Sequence, residues 1–306
     1  MGLILHHYDF SNFAEKARLM LGFKGLAWRG IEQPPIAPKP NLTPLTGGYR
    51  RIPVLQEGAD LWCDTRLIAR ELERRVAMPT LFPPETMGAA QAIAWWAEHQ
   101  LMRPMALYVS GINADHMPAG LHEDRARIHG VPVPSIEAVR AAALRNLPLV
   151  RPQLAWLADM LKDGRGYLLG ERPCIADFAC YHVVWFLRGR EIDCRAELEP
   201  YPRLIAWRDR MASIGHGQRT DGAPEEGLAV ARASRPAPPR PPHPLDGDPC
   251  PGERARVRAA DNARNWIEGE VLFVDDHEIS LLRSDPRVGD VAVHFPRLGY
   301  DWRRTR

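Results

Sequence analysis

The sequence predicts three folded parts: a small α/β domain, an all-helical domain and a short antiparallel β module. Strand-like and helix-like runs alternate in the first part, and longer runs with helical periodicity follow from residue 86. Prolines then crowd one stretch, and short apolar runs separated by turn residues close the chain. We therefore divide the 306 residues into domains at 1–80 and 86–215, a Pro-rich linker at 216–252 and a β module at 253–306.

The first domain alternates strand, helix and strand, then continues with a hairpin and a second helix. These elements are predicted at residues 3–8, 13–23, 28–31, 51–63 and 64–75. Pro53 opens an apolar strand although proline removes a ladder donor. We expect a cis Ile52–Pro53 bond, which leaves the Ile52 backbone N–H and C=O facing a ligand; an ordinary trans proline at a strand start is the alternative.

The second domain is predicted to contain long helices only. They are expected at residues 88–112, 135–161, 175–187 and 202–211, with an interruption or kink at Pro148 and Pro152. The β module is predicted from short strands at 255–259, 267–274, 278–283 and 290–295. A unit this small has little core of its own, so docking within the assembly is favoured over recruitment of a partner.

Composition describes an ordinary folded, water-soluble protein. The chain is 45% hydrophobic and 25% charged, and its formal net charge of +2 gives no electrostatic signature of nucleic-acid binding. The amino terminus has neither a basic region nor an apolar run long enough for export or membrane insertion. We therefore expect a cytoplasmic protein with no nucleic-acid or membrane partner.

The cysteines are scattered and contain no C-x-x-C pair. They are Cys63, Cys174, Cys180, Cys194 and Cys250. This odd number and wide spacing argue against a disulfide framework, a zinc site or a dithiol redox motif. A reducing compartment and the absence of a metal site are the corresponding expectations.

Ser11 stands where the first strand turns into the first helix. Unpaired N–H groups and aligned peptide dipoles at a helix start favour a negative sulfur, so the position suits a bound thiolate. A simpler interpretation is also open, because Asn12 and Glu15 make a capping box and Ser11 could serve only as a helix cap.

Four segments, at residues 11–18, 50–55, 64–65 and 174–178, stand in order and at compatible spacings. Together they resemble the glutathione S-transferase family over about residues 1–215. The resemblance implies a thioredoxin-like amino-terminal domain that binds glutathione, followed by an all-helical domain. It also implies a homodimer that uses glutathione as a co-substrate and needs no metal.

The resemblance also assigns roles to residues of the first domain. The Ser11 hydroxyl would donate a hydrogen bond to the glutathione sulfur and hold it as thiolate, and the Ile52 main chain beside Pro53 would pair with the cysteinyl backbone. Asp64 would take the γ-glutamyl ammonium and Thr65 the γ-glutamyl carboxylate, unless the two residues only cap a helix.

The remaining roles are less specific. Arg51 is expected at the glycyl carboxylate, although its neighbour Arg50 is an equal alternative, and Phe13 completes the predicted glutathione-binding residues. Tyr8 is a rival hydroxyl to Ser11, since some branches of the family use a tyrosine after the first strand. Together with Trp95 and His99, Tyr8 is also a candidate for the pocket of an apolar electrophile, with core or dimer packing as the alternative for these residues.

Two positions depart from the family pattern. Asn12 stands where many members have proline, which leaves the helix start less rigid. Cys174 stands where a capping Ser or Thr is usual, so Asp177 is expected to hold that helix start alone.

The sequence thus predicts an enzyme that activates the glutathione thiolate for transfer to, or reduction of, a small electrophile. The alternative is a non-catalytic scaffold that recruits a partner through its β module.

Overall fold

A single continuous sheet joins the two ends of the chain in the computed structural model, which describes residues 2–305. The strands are β1 (Leu3–His7), β2 (Ala27–Glu32), β3 (Val54–Glu57), β4 (Asp60–Cys63), β5 (Gln218–Asp221), β6 (Arg254–Ala259), β7 (Ile267–Val274), β8 (Glu278–Asp285), β9 (Gly289–Pro296) and β10 (Tyr300–Arg304). Within the described residues their spatial order is β10-β6-β7-β8-β9-β4-β3-β1-β2-β5.

Helices cover the sheet and build the second domain. They are α1 (Asn12–Phe23), α2 (Thr43–Thr46), α3 (Thr65–Arg75), α4 (Met87–Trp96), α5 (Met102–Ile112), α6 (Leu121–His129), α7 (Ile136–Met160), α8 (Ile175–Trp185), α9 (Pro202–Ser213) and α10 (Glu226–Arg232). A π-helical turn, Ala97–Leu101, joins α4 to α5.

The amino-terminal domain has the predicted thioredoxin-like order. Strand β1 pairs parallel with β2 and antiparallel with β3, and β3 continues antiparallel into β4. All five β1 residues are buried, because α1 packs against Leu3 and Leu5 on one face of the sheet and Gly227 of α10 lies against His6 on the other. The cis Ile52–Pro53 bond predicted from the sequence is present.

The helical domain packs onto the first domain through α8, which contacts α1. The predicted interruption at Pro148 and Pro152 is absent, since α7 runs continuously through both prolines. Helix α6 was not predicted. It is short and lies between Gly120 and Gly130, both with positive φ, so the sequence around it is typical of a loop.

The segment predicted as a linker begins with two ordered elements. Strand β5 pairs parallel with β2 and becomes the outer edge of the sheet. The indole N–H of Trp28 donates to the His216 carbonyl at 2.7 Å, which fixes the chain before this strand. Helix α10 then packs near β9, burying Leu228 and Ala231 in an apolar cluster shared with the carboxy-terminal strands.

The carboxy-terminal β module docks on its own chain. Its strands pair antiparallel with each other, but β9 pairs parallel with β4, with Leu61 opposite Val293. The apolar cluster beneath them includes Val54 and Leu61 from the first domain together with Val293 and Phe295 from the module. The last strand, β10, is not among the strands predicted from the sequence.

A buried ionic contact fastens the junction between β4 and β9. His294 lies between Glu278, at 2.6 Å from Nδ1, and Asp60, at 3.1 Å from Nε2, and its ring stacks on Trp62. Burial opposes a charged imidazole, but the bonds to Asp60 and Glu278 outweigh it and raise the pKa of His294 to about 9. The module is therefore held by a charged histidine at neutral pH.

Candidate thiol-binding site

Ser11 lies at the start of α1, as expected. Its Oγ accepts the Ala14 backbone N–H at 3.2 Å, and the side chain is 5% exposed. The Ser11 N–H donates to the Tyr8 carbonyl at 3.1 Å, so the turn from β1 into α1 is closed. The hydroxyl is thus a helix cap, and its own proton has no acceptor within residues 2–305. That proton remains available to a ligand.

Asn12 supplies the rigidity that a proline would otherwise give. Its side-chain N–H groups contact Met102 Sδ and His182 Nδ1, both at 2.9 Å. Both partners belong to the helical domain, so the first residue of α1 is tied to that domain. Phe13 packs beside this contact, with its ring centroid 4.7 Å from that of His182.

The Ile52 backbone is open to a ligand. Neither its N–H nor its C=O makes a hydrogen bond within the described part of the chain, because β3 begins only at Val54. An extended peptide could pair with this residue in the manner of an added strand. Pro53 itself is buried at the start of the hairpin.

Asp64 has a positive φ of 73°, a conformation that non-glycine residues adopt only at a cost. Its carboxylate accepts the Arg66 N–H at 2.9 Å, which caps α3, and the Arg66 guanidinium at 3.3 Å. The Tyr300 hydroxyl of β10 also donates to Asp64, at 3.3 Å. The Arg66 guanidinium lies over the Trp95 ring, 4.8 Å from its centroid. Asp64 thus combines a strained backbone with a carboxylate that caps α3, and it lies where the ammonium of a ligand is expected to bind.

Thr65 is only 2% exposed, and its hydroxyl points to a buried ion pair. Lys16 Nζ lies 3.1 Å from Thr65 Oγ1 and 2.5 Å from Glu98 Oε1, which the π-helical turn presents. Although burial opposes ionisation, Lys16 and His182 hold the pKa of Glu98 well below its ordinary value. The Thr65 hydroxyl is therefore engaged within the protein, and its backbone N–H is the group left for a carboxylate.

The two adjacent arginines, Arg50 and Arg51, bind different partners. Arg50 Nη2 contacts both carboxylate oxygens of Asp124 in α6 at 2.7 Å. Arg51 instead bonds Asp261 and the Asn262 carbonyl, both in the loop between β6 and β7. Burial acts to lower the pKa of Arg51, but the neighbouring tyrosines and Asp261 raise it above its ordinary value.

The predicted pocket residues lie on two sides of this site. Tyr8 lies near Lys39, whose Nζ is 5.8 Å from the ring centroid, and its hydroxyl is 3.5 Å from Arg125 Nη2. Trp95 stacks on His99 with 3.6 Å between ring centroids, and His99 Nδ1 bonds the Trp95 carbonyl at 2.9 Å. Among residues 2–305 no carboxylate orients His99, so the geometry does not favour it as a general base.

Lys39 is a residue that the sequence did not single out. It is 4% exposed, and burial together with repulsion from Arg50 and Arg125 lowers the pKa of its ammonium to about 8. A buried lysine beside two arginines favours the approach of an anion. Its only sequence signal is its position in a proline-rich loop, which gives no indication of the arginines that surround it.

The residues present fit a charged peptide such as glutathione. Arg51 Nε and Arg66 Nη1 are both buried without a hydrogen-bond partner in residues 2–305, and the Ile52 amide and carbonyl are free as well. Such groups are costly unless a ligand satisfies them. Within the same residues, no group of His, Cys, Asp or Glu side chains could hold a metal ion, and no helix could cross a membrane.

Comparison with known families agrees with this fold. The model of the glutathione S-transferase N-terminal domain matches residues 5–80, and that of the C-terminal domain matches residues 107–214. These matches define a class of protein in which an α/β domain of thioredoxin type is followed by a helical domain. The chain belongs to the glutathione S-transferase family.

Solved structures support the same assignment. A GST-like protein from Pseudomonas syringae is 37% identical, with a TM-score of 0.78, and the match covers 98% of this chain and 99% of that one, so it includes the C-terminal strands. FzlA from C. crescentus is 22% identical over 70% of this chain and 88% of its own, with a TM-score of 0.52. A glutathione S-transferase from Methylobacterium radiotolerans, in complex with glutathione sulfonate, is 22% identical over 70% of this chain and 91% of its own, also with a TM-score of 0.52. A comparison with curated proteins gave no match.

Proposed function

We propose that this protein is a glutathione transferase that activates the glutathione thiol at Ser11 for attack on a small electrophile. The free Ile52 backbone beside a cis proline is the observation that carries the proposal, because it suits a peptide in the register of an added strand. The complex of the Methylobacterium protein with glutathione sulfonate supports the same ligand class.

Binding would use charges on both sides of Ile52. Asp64 accepts the ammonium of the γ-glutamyl end, while the Thr65 N–H at the start of α3 donates to its carboxylate. Arg51 and Lys39 supply the positive charge for the glycyl carboxylate. These positions hold the tripeptide across the mouth of the site, with its cysteinyl sulfur directed to the start of α1.

Glutathione supplies a thiolate, the form of sulfur that attacks electrophilic carbon and disulfides. Ser11 stabilises the anion by donating a hydrogen bond from its hydroxyl, and the positive end of α1 adds to this effect. Asn12 fixes the helix start against the helical domain, so the hydroxyl keeps its direction. The thiol proton leaves to solvent, and no other group in the account changes its protonation state.

Isothermal titration with glutathione and the Asp64→Asn variant tests the binding proposal. Asparagine is a good helix cap and tolerates positive φ, so this change removes the charge and keeps the fold. We expect binding to weaken by about ten-fold, the loss of one charge-assisted contact. Asp159→Asn, an exposed carboxylate on α7, is the matched control and should bind as the wild type does. Failure of the wild type to bind glutathione, or equal affinities for all three proteins, contradicts the proposal.

The scaffold alternative depended on a β module free to recruit a partner. That module extends the sheet of its own chain, so the feature that suggested recruitment is used within the protein.

We also expect a homodimer, as is usual in the family, and light scattering in solution tests this; a monomer at micromolar concentration would contradict it.

A further inference from the structure

The carboxy-terminal module reaches both of the charged residues expected to bind the ends of glutathione. Tyr300, the first residue of β10, donates to Asp64. The loop between β6 and β7 contributes Asp261 and Asn262, which hold Arg51. The inference that follows rests on the proposed function and concerns the part of the chain that had no assigned role.

Tyr300 has the geometry of a donor fixed in one direction. Its side chain is 8% exposed, its hydroxyl lies 2.9 Å from that of Tyr49, and it lies 3.3 Å from Asp64 Oδ2. Burial raises the pKa of Tyr300 well above its ordinary value, so the phenol keeps its proton. The chain of hydroxyls from Tyr49 through Tyr300 therefore ends on the Asp64 carboxylate.

Gly299 shows how closely the module approaches the same site. A Cβ at this residue would lie 3.0 Å from Arg66 Nη2 and 3.6 Å from the Trp95 ring, and its φ is +84°. The absence of a side chain lets the module backbone cover the Arg66 guanidinium where it lies over Trp95. Arg66 in turn contacts Asp64, so the module bounds this carboxylate from two directions.

The loop between β6 and β7 also spans the cleft between the first two domains. Besides holding Arg51, it contacts the helical domain, where the Ala263 N–H donates to the Ile128 carbonyl of α6 at 3.2 Å. The pairing of β9 with β4 and the buried His294 fix the module on the first domain. The loop and β10 therefore stand at set positions beside Ile52, Asp64 and Arg51.

We propose that the carboxy-terminal module forms one wall of the glutathione site, with Tyr300 as the positioning residue that directs Asp64 toward the ligand ammonium. The module is then a component of the site, and a protein truncated before it lacks part of the ligand-binding surface. Tyr300 does not touch the reacting sulfur; it acts on binding through Asp64.

Titration calorimetry with two ligands tests Tyr300→Phe. The ligands are glutathione and its des-amino analogue, which lacks only the γ-glutamyl ammonium. The variant should bind glutathione roughly five-fold more weakly, the effect of one lost hydrogen bond, and bind the analogue as the wild type does. Turnover should show a raised KM for glutathione with kcat unchanged. Tyr181→Phe, at a buried tyrosine of α8, is the matched control and should change neither affinity.

The outcomes separate the two proposals. Equal weakening for both ligands indicates a structural role and overturns the positioning role of Tyr300, as does unchanged binding of glutathione. Binding of glutathione by the wild type in either case leaves the proposed function standing. A wild type that binds neither ligand overturns both proposals. Circular dichroism of each variant confirms that it is folded before binding is measured.

Discussion

Ser11 carries two possible roles in one side chain, helix capping and thiol activation. Its Oγ accepts from Ala14 N at 3.2 Å, and Ser135 Oγ makes the same 3.2 Å contact with Ala138 N at the start of α7. The two serines are therefore matched as caps. They differ in surroundings, because Ser11 is buried and Ser135 is exposed. This pair separates the two interpretations of Ser11.

Ser11→Ala should lower kcat/KM for glutathione conjugation by about 100-fold, since it removes a donor to a developing anion. Ser135→Ala should leave turnover unchanged. Each variant should lose about 1 kcal/mol of unfolding free energy as a helix cap. Steady-state kinetics and urea unfolding measure the two effects. Equal activity in both variants would reduce Ser11 to a cap.

Asp261 pairs with the Arg51 guanidinium, the group that is expected to bind a ligand carboxylate. Because its side chain is 54% exposed, its pair with Arg51 contributes little to folding. Asp261→Asn should therefore tighten glutathione binding by roughly two- to five-fold, through loss of a competing negative charge. Asp301→Asn, which removes the partner of Arg258 elsewhere in the module, is the control. Weaker binding in Asp261→Asn would assign Asp261 to ligand contact instead.

At the scale of elements, the π-helical turn between α4 and α5 has a clear structural purpose. The extra residue of such a turn redirects the side chains that follow, and here Glu98 faces inward to Lys16 of α1. Lys16 is fully buried and Glu98 is 3% exposed. The pair joins the helical domain to the first domain next to Thr65, so domain contact and site geometry depend on the same two charges.

Lys16→Met should destabilise the protein by about 3–5 kcal/mol, because it leaves the buried Glu98 carboxylate without its ammonium partner and with only His182 beside it. The double variant Lys16→Met, Glu98→Leu should recover most of that loss, since both charges are then gone. Urea unfolding of wild type and both variants measures the effect. Wild-type stability in the single variant would show that Glu98 finds another partner.

Local sequence signals were sufficient for some elements and insufficient for others. Ser11, Pro53 and Asp64 were found because capping and strand-breaking residues act on their own neighbourhood. The partners of these residues were not found: Lys16 and Lys39 carry no local signal, and their importance comes from contacts far along the chain. Helix α6 was missed because two glycines enclose it.

At the scale of the whole molecule, the two ends of the chain meet in one sheet. The short strands of the module were predictable from alternating apolar residues, and so was their antiparallel order. The pairing of β9 with β4 was not, because edge pairing depends on backbone groups common to every residue. The contacts of Tyr300 with Asp64 and of Asp261 with Arg51 depend on that pairing, so the sequence did not indicate them either.

The raised pKa of His294 implies that the stability of the protein depends on pH. Its pKa is about 9 in the folded protein and about 6.5 in the unfolded chain, so its contribution is complete below pH 6.5 and is lost as the pH rises through 9. The stability difference between wild type and His294→Gln should therefore shrink by on the order of 3 kcal/mol between pH 6.5 and 9.5.

Chemical unfolding at a series of pH values measures this difference. The comparison with the variant is needed because Lys39, with a pKa lowered to about 8, changes the wild-type curve in the opposite direction. Lys39 is present in both proteins, so its effect cancels. If the difference in unfolding free energy between wild type and His294→Gln did not change with pH, His294 would be neutral in the folded state.

The most direct test of the central claim is the ionisation of the bound thiol. The ultraviolet absorbance of thiolate, recorded against pH for glutathione on the wild type and on Ser11→Ala, gives the pKa of the sulfur in each complex. We expect a pKa below that of free glutathione on the wild type and a return toward the free value on the variant. A bound thiol that ionises as it does in solution, or identically on both proteins, would contradict thiol activation by Ser11.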